Sequence, residues 1–321
     1  MADDLFSNQR FKPAPTKAGV DDDSGKDYRT QSIGKTIQVG EAELLAEVDR
    51  IPALPAVVQK ILALAGSMSS TAQDMEDLIR QDMVIAGRLL KLVNSPFYGL
   101  SKQLSSISQA VSIVGFSSLK SLVMAASASN LMVVDLACYG FKPDGLWKNS
   151  VVTAMLARDI ARRCGVDRDI SEEYFLAGLM RDVGKLVLGP ILAKGGVKLR
   201  KQAGNKDDIL TRERRAVGFD HCWAGERVAD KWRLPPDLVL AIGKHHRIPS
   251  LLSDQEMKRL ATIRLAERLA YAAGAGVVSD HPFDVHIDGV LLQAVGLSAA
   301  LFQTFMTEAP GIVAKADKSL L

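Results

Sequence analysis

From Glu41 onward apolar residues recur three and four positions apart, and the period breaks only at turn-forming residues. Leu78, Ile79, Ile85, Leu89, Leu90 and Val93 fall at helical spacings. The pattern predicts helices near 41–50, 55–65, 71–80, 83–93, 105–114 and 117–133. A Gly/Pro-containing break at 140–145 follows. Further helices are predicted near 146–163, 171–182, 184–193, 208–216, 220–232, 235–246, 254–273, 288–295 and 298–307. Thr71, with Asp74 three residues on, is an N-cap, and Gly115 closes the helix ending at Val114. Gly165, Pro235 and Pro282 punctuate the second run. Strict apolar/polar alternation is scarce, so the chain reads as all-α, with no internal repeat at a fixed period.

Residues 1–40 depart from this pattern. They carry Asp21-Asp22-Asp23, scattered Lys and Arg, Pro13 and Pro15, and little apolar periodicity. Such a segment buries too little surface to offset its ordering entropy, so a disordered tail is expected there. The longest apolar stretch, Leu122 to Val134, includes Ser127, Ser129 and Asn130. It is too short and too polar for a bilayer and reads as a buried helix, so no membrane insertion is expected.

The chain has 321 residues, 47% of them hydrophobic and 24% charged, which is enough for one large or two medium domains around a sizeable core. A net charge of +3 is too near balance to argue for nucleic acid, which is not expected as a partner. Cys138, Cys164 and Cys222 are widely spaced with no CxxC pattern. Reduced thiols in a cytoplasmic protein fit them better than a disulfide framework or a zinc site. The N-terminus MADDLFSNQR has no apolar run behind it and reads as no targeting signal.

Familiar catalytic patterns are missing. There is no GxSxG elbow, no P-loop and no GxGxxG, and no Cys sits in an evidently activating context. One segment, 194–215, is strongly basic. Lys198, Arg200, Lys201, Arg212, Arg214 and Arg215 within it form a candidate patch for an anion or an acidic partner. The competing reading is a solvated loop and helix face. No aromatic residue is interleaved there for stacking on single strands.

Three stretches of the first half read IPALPAVVQKILAL, DLIRQDMVIAGRLLKLVNSPFYG and SSISQAVSIVGFSSLKSLVM. Within them stand Leu54-Pro55, Asp82, Asn94-Ser95 before Tyr98-Gly99, Ser106-Ile107 with Gln109-Ala110, and Gly115. Trp147, Ser150, the Leu176–Lys185 segment, His221, Trp232 with Leu234-Pro235, and His245-His246 follow in order. Over roughly residues 50–270 this series resembles the HDOD domain, the HD-related output domain of bacterial signalling proteins. Met83 departs from the Pro that usually follows the Asp in that family. The resemblance implies an N-terminal helical subdomain, 41–137, packed on an HD-like helical bundle, 138–321. It also implies a non-catalytic role in signal transduction, with signalling proteins or components of a second-messenger pathway as partners.

The resemblance also locates a degenerate metal site. A functional HD site takes a His from one helix, a His-Asp pair from another and an Asp from a later one. The corresponding positions here are Asn149, Arg181-Asp182 and Glu267. Guanidinium has no lone pair to give and stays positive at ordinary pH, so Arg181 opposes a metal by charge as well as by chemistry. Arg181 is therefore expected to serve as the site's cation between Asp182 and Glu267, with no metal or cofactor bound and no catalysis. His221, His245 and His246 resemble additional ligand positions of HD-GYP phosphodiesterases, although RIPS after His246 lacks that class's signature. Two readings of them stand: residual ligands, with Asp182 and Glu267, in a metal-dependent phosphohydrolase, or structural hydrogen bonding in a polar core, which is the reading adopted. A nucleotide-binding module without turnover is a further alternative.

Overall fold

A computed structural model describes residues 36–64, 71–95, 100, 102–199, 207–278 and 289–319. Among these the chain is helical, and its only β-type pairing is an isolated antiparallel bridge between Phe141 and Val277. The first half runs α1 (Glu41–Arg50), α2 (Ala56–Leu64), α3 (Ala72–Arg80), α4 (Met83–Val93), α5 (Ile107–Val114) and α6 (Phe116–Ala128). After a 3-10 turn at Ala137–Tyr139 come α7 (Gly145–Arg163), α8 (Arg168–Met180), α9 (Lys185–Lys194), α10 (Ile209–Val217), α11 (His221–Lys231), α12 (Pro236–Lys244), α13 (Asp254–Ala272), α14 (Gly289–Val295) and α15 (Ala299–Ser319).

Local chemistry accounts for the helix starts. Thr71 and Asp74 form a reciprocal capping box on α3, and Ser253 with Glu256 does the same on α13. Asp82 accepts from the Val84 and Ile85 amides, so the start of α4 is capped without the usual Pro. Gly115, at φ 84°, is the single residue between α5 and α6, a left-handed backbone that glycine adopts without strain.

Several ends differ from the sequence expectation. The helix expected to reach 133 stops at Ala128, with Ser129 as its C-cap. The one expected over 171–182 ends at Met180, so Arg181 and Asp182 occupy the turn before α9 rather than a helix. The one expected to reach 246 ends at Lys244, leaving His245 and His246 just beyond it. The last helix continues through Pro310 to Ser319 instead of stopping at 307, because Phe302, Phe305, Ala309 and Ala316 all lie on one buried stripe. That packing overrides the local cost of the proline.

Residues 36–40, placed in the tail by composition, have no regular secondary structure. Ile37 N–H donates to Ala216 C=O at 2.7 Å and its side chain packs on the core. The rest of the expected tail, 1–35, lies outside the described residues, as do Tyr98-Gly99 and Pro282.

One apolar core runs from Leu44 in α1 through α2–α6 into α7–α9 and α11–α13, and so crosses the expected 137/138 boundary without a break. A second cluster fills the space among α7, α13, α14 and α15 around Leu156, Ile160, Leu265, Leu269, Phe302 and Phe305. No single helix among the described residues is long and apolar enough to cross a membrane.

Candidate functional site

The bundle of the second half encloses a polar centre. Asn149 on α7, Arg181 and Asp182 in the α8–α9 turn, His221 at the start of α11, His245 after α12 and Glu267 on α13 are all buried. Gly184 lets the turn approach this closely. A Cβ there would fall 1.9 Å from the His221 carbonyl oxygen and 2.5 Å from the Gly225 amide nitrogen. Only a glycine allows the Asp182–Lys185 turn to lie against α11.

Arg181 is the hub and has 0% exposure. Its Nη2 lies 3.0 Å from Asp182 Oδ2 and its Nε 3.6 Å from Glu267 Oε1. Nη1 donates to the Gly178 carbonyl at 2.7 Å, and Nη2 also donates to Asn149 Oδ1. Asn149 is oriented for this role, because its Nδ2 donates to the Ala275 carbonyl at 3.0 Å and so turns Oδ1 toward the guanidinium. The side chain at the first ligand position thus serves the arginine. The structure brings together the four residues assigned to the degenerate site, with the guanidinium between the two carboxylates.

Asp182 collects further charge. Lys185 Nζ lies 2.6 Å from its Oδ1 and also faces the rings of Tyr139 and Phe141 at 5.5 and 5.6 Å. His221 Nε2 is 3.3 Å and His245 Nε2 3.8 Å from the same oxygen. None of these approaches is aligned as a hydrogen bond, so both Asp182 oxygens are held by charge rather than by directed bonds. Burial works to raise the Asp182 pKa, but Lys185 and Arg181 outweigh it and hold the group well below the usual carboxylate range. Glu267 is lowered in the same way, burial being opposed by Arg264 and then Arg181.

The histidines form a directed chain whose tautomers follow from their partners. His221 Nδ1 and backbone N–H both donate to Glu213 on α10, at 2.7 and 3.0 Å. Burial disfavours charge on His221, yet the Glu213 carboxylate prevails and its pKa is raised well above the ordinary value. A protonated His221 carries a proton on Nε2, which faces His245 Nε2 at 3.4 Å. His245 Nδ1–H donates to the Ile242 carbonyl at 3.0 Å. Arg264 Nη1 donates to His246 Nδ1, so the His246 proton sits on Nε2, 3.6 Å from Glu267 Oε1. Burial, His245 and Arg264 keep His246 neutral, with a pKa well below the usual value.

The same geometry bears on a metal. Ligand atoms of Asp182, His221, His245 and His246 lie within 4.8 Å of one another, and such donors suit a first-row transition ion. Two of the three imidazoles, however, carry a proton on Nε2 in this hydrogen-bond pattern, and ligation through that atom requires its removal. Charge weighs the same way. Asp182, Glu213 and Glu267 already face Arg181, Lys185, Arg264 and protonated His221. A divalent cation would add uncompensated charge in a centre that is almost wholly buried. The donor set fits a metal in kind and opposes it in charge and protonation. Glu267, a ligand in the alternative residual-metal reading, is engaged by Arg181 and Arg264.

Two participants escaped the sequence reading. Glu213 sits in the basic run TRERR, yet it shares the buried face of α10 with Leu210, Ala216 and Val217, and a carboxylate on an apolar stripe is the signal that marks it. Lys185 follows Asp182 at i+3 inside an otherwise apolar segment. Cys222 is a correction: it lies 3.9 Å from His245 Nδ1, and although burial pushes its pKa up, His245 and His221 bring it down to about 7. The contact comes from a residue distant in sequence, just beyond α12.

The basic segment disperses. Arg212 donates to the Leu199 carbonyl, Arg214 pairs with Asp220 at 2.5 Å, and Arg215 pairs with Asp207. Lys198 is exposed, and Arg200 and Lys201 lie outside the described residues. Three of its arginines thus hold α10 to neighbouring chain and do not form one anion-binding face.

Comparison with known proteins agrees with this architecture. A Treponema pallidum protein of uncharacterised function is 27% identical over 220 residues, 66% of this chain, and the chain spans 42% of that relative's length. The fold is shared with an HDOD domain protein of unknown function from Geobacter sulfurreducens (TM-score 0.68, 24% identity, 87% of this chain and 96% of that one). It is also shared with a protein of Marinobacter aquaeolei VT8 assigned by name to signal transduction (TM-score 0.66, 20% identity, 89% of this chain and 62% of that one). The sequence profile of the HDOD domain matches residues 51–248, which take in Asn149, Arg181-Asp182 and all three clustered histidines, and the chain therefore belongs to the HDOD domain family.

Proposed function

We propose that this chain is a non-catalytic signalling module of the bacterial cytoplasm. It would act by presenting its helical surface to another protein of a signal transduction pathway, second-messenger components among the candidates. The observation that carries this reading is the complete burial of Arg181 in contact with both Asp182 and Glu267. A hydrolytic site must admit a phosphoester and an ion; this one is packed shut around a guanidinium. The ion cluster then holds the bundle together, and function lies on the surface. Purified full-length protein from cells grown with added Mn, Fe and Zn is expected to carry far less than one transition metal per chain. It is also expected to leave bis(p-nitrophenyl) phosphate and cyclic dinucleotides uncleaved. About one metal per chain with chelator-sensitive cleavage would overturn the reading.

A second reading rests on the convergence of Asp182, His221, His245 and His246. In that case the chain holds one ion and retains metal-dependent phosphohydrolase activity on a nucleotide or cyclic dinucleotide, or binds such a nucleotide without turnover. Metal bound without cleavage, lost in His245→Ala, would support a structural ion instead.

A further inference from the structure

A short segment ahead of α1 ties into the bundle beside the buried centre. Residues 36–40 alternate in exposure: Ile37 and Val39 pack on the apolar core, while Thr36, Gln38 and Gly40 are exposed. Ile37 is seated at two points. Its N–H donates to the Ala216 carbonyl at 2.7 Å. Ala216 lies in the last turn of α10, where carbonyls lack a partner within the helix, so the segment satisfies a group that α10 cannot. The Ile37 side chain lies over Gly195, the C-cap of α9. A Cβ at Gly195 would fall 1.9 Å from Ile37 Cδ1 and 2.7 Å from its Cγ1. Gly195 has an ordinary right-handed backbone, at φ −78°, so the glycine makes room for Ile37 rather than for a turn.

What this segment holds bears on the polar centre. α10 has nine residues, too few to persist without tertiary packing. Its buried face carries Leu210, Glu213, Ala216 and Val217, at helical spacings. Ala216, which Ile37 grips, and Glu213, which enters the centre, therefore stand one turn apart on one face. Glu213 is fully enclosed and accepts from the His221 backbone N–H at 3.0 Å and from His221 Nδ1 at 2.7 Å. The arginines of α10 reach nearby chain, at Leu199, Asp207 and Asp220. Ile37 arrives instead from the far end of the sequence. Coupling between separated groups is carried by rigid elements of this kind.

We infer that residues 36–40 are a regulatory strap: seated, they brace α10 and keep Glu213 on His221; released, they free α10 and loosen that pair. The hold rests on two partly buried side chains and the Ile37 hydrogen bond, far less than encloses the core. The strap therefore opens at a lower free energy than the bundle unfolds. A partner engaging the chain ahead of Thr36 would reach the buried centre without entering it. The strap acts on Glu213 and His221 whether or not the centre binds an ion.

The test is amide hydrogen exchange on the full chain, read at the His221 N–H that Glu213 accepts. Ile37→Asp should speed exchange there and across α10 by about tenfold or more, with the amides of α4 unchanged. Gln38→Asp, outward-facing in the same segment, should change neither. Gly195→Ala should speed His221 exchange in the parent chain, because the new methyl collides with Ile37. It should have no effect in an Ile37→Ala background, where the colliding atoms are gone. This second pair decides the matter if Ile37→Asp fails to fold. The inference is overturned if Ile37→Asp leaves the His221 amide as in the parent, or if the α4 amides accelerate by the same factor. It is equally overturned if Gly195→Ala has the same effect in both backgrounds, or if Gln38→Asp acts as Ile37→Asp does.

Discussion

The two halves of this domain are held together by different physics. In α1–α6 the interior is apolar: Leu44, Ile61, Met75, Ile79, Leu89 and Val93 are fully enclosed, and buried polar groups are few, chiefly serines and Glu76. In α7–α13 the helices close around Asn149, Arg181, Asp182, Lys185, Glu213, His221, His245 and Glu267. A dispersion-packed core is forgiving of shape-conserving change, because no partner is left uncompensated. A buried ion cluster is not, since removal of one member exposes the desolvation cost of the rest. The second half has kept a polar interior that packing alone would not require.

The sharpest way to break the comparison is to make the same type of change in each half. Arg181→Met should cost about 3–5 kcal/mol in denaturant unfolding, because Asp182 and Glu267 lose a buried counter-charge. Leu89→Met, equally enclosed, should cost less than about 1.5 kcal/mol. Equal costs would mean that the cluster is no more demanding than ordinary core.

The pH dependence should belong to the second half. Asp182 and Glu267 have lowered folded-state pKa values, so their contribution is present above about pH 5 and lost as pH falls through roughly 4 and below. Neutral His246, whose pKa is also lowered, adds to the acid-side loss below about pH 6.5. His221 has the opposite sign. Its raised pKa gives a contribution that is full below about 6.5 and lost as pH rises through the folded value. Melting temperature against pH should therefore decline on both sides, and Glu213→Gln should flatten the alkaline side alone. An unchanged alkaline limb in that variant would remove Glu213 as the cause.

The smallest effect is local and belongs to the first half. Ser106 accepts from the Gln109 amide at the start of α5, and Ser106→Ala should cost about 1 kcal/mol without altering the pH profile. A change in that profile would show that the halves are not separable.

Much of this was legible in the chain. Periodicity located the helices because each buries one stripe, and Thr71, Asp82 and Gly115 marked boundaries because capping is local chemistry. The resemblance grouped Arg181 with Asp182 and Glu267, and the structure sets its guanidinium beside both. What stayed hidden was set by contacts between distant segments. Arg181 and Asp182 fall in a turn because Gly184 must meet α11. α15 runs past Pro310 because its apolar stripe is already anchored. Glu213 looked like surface charge in a basic run, and Cys222 looked inert because its second imidazole arrives from just beyond α12. The paired state of Arg212, Arg214 and Arg215 likewise depends on partners that composition does not assign.

The central claim is that Arg181 is the cation of a former metal site, and a double-variant stability measurement tests it most directly. Arg181→Ala leaves Glu267 buried without one of its counter-charges, and adding Glu267→Gln removes the charge that was stranded. The account predicts that Arg181→Ala with Glu267→Gln unfolds at higher denaturant than Arg181→Ala alone, recovering on the order of 1 kcal/mol or more. If the second change recovers nothing, or adds its own loss in full, Arg181 and Glu267 are not coupled and the account is contradicted.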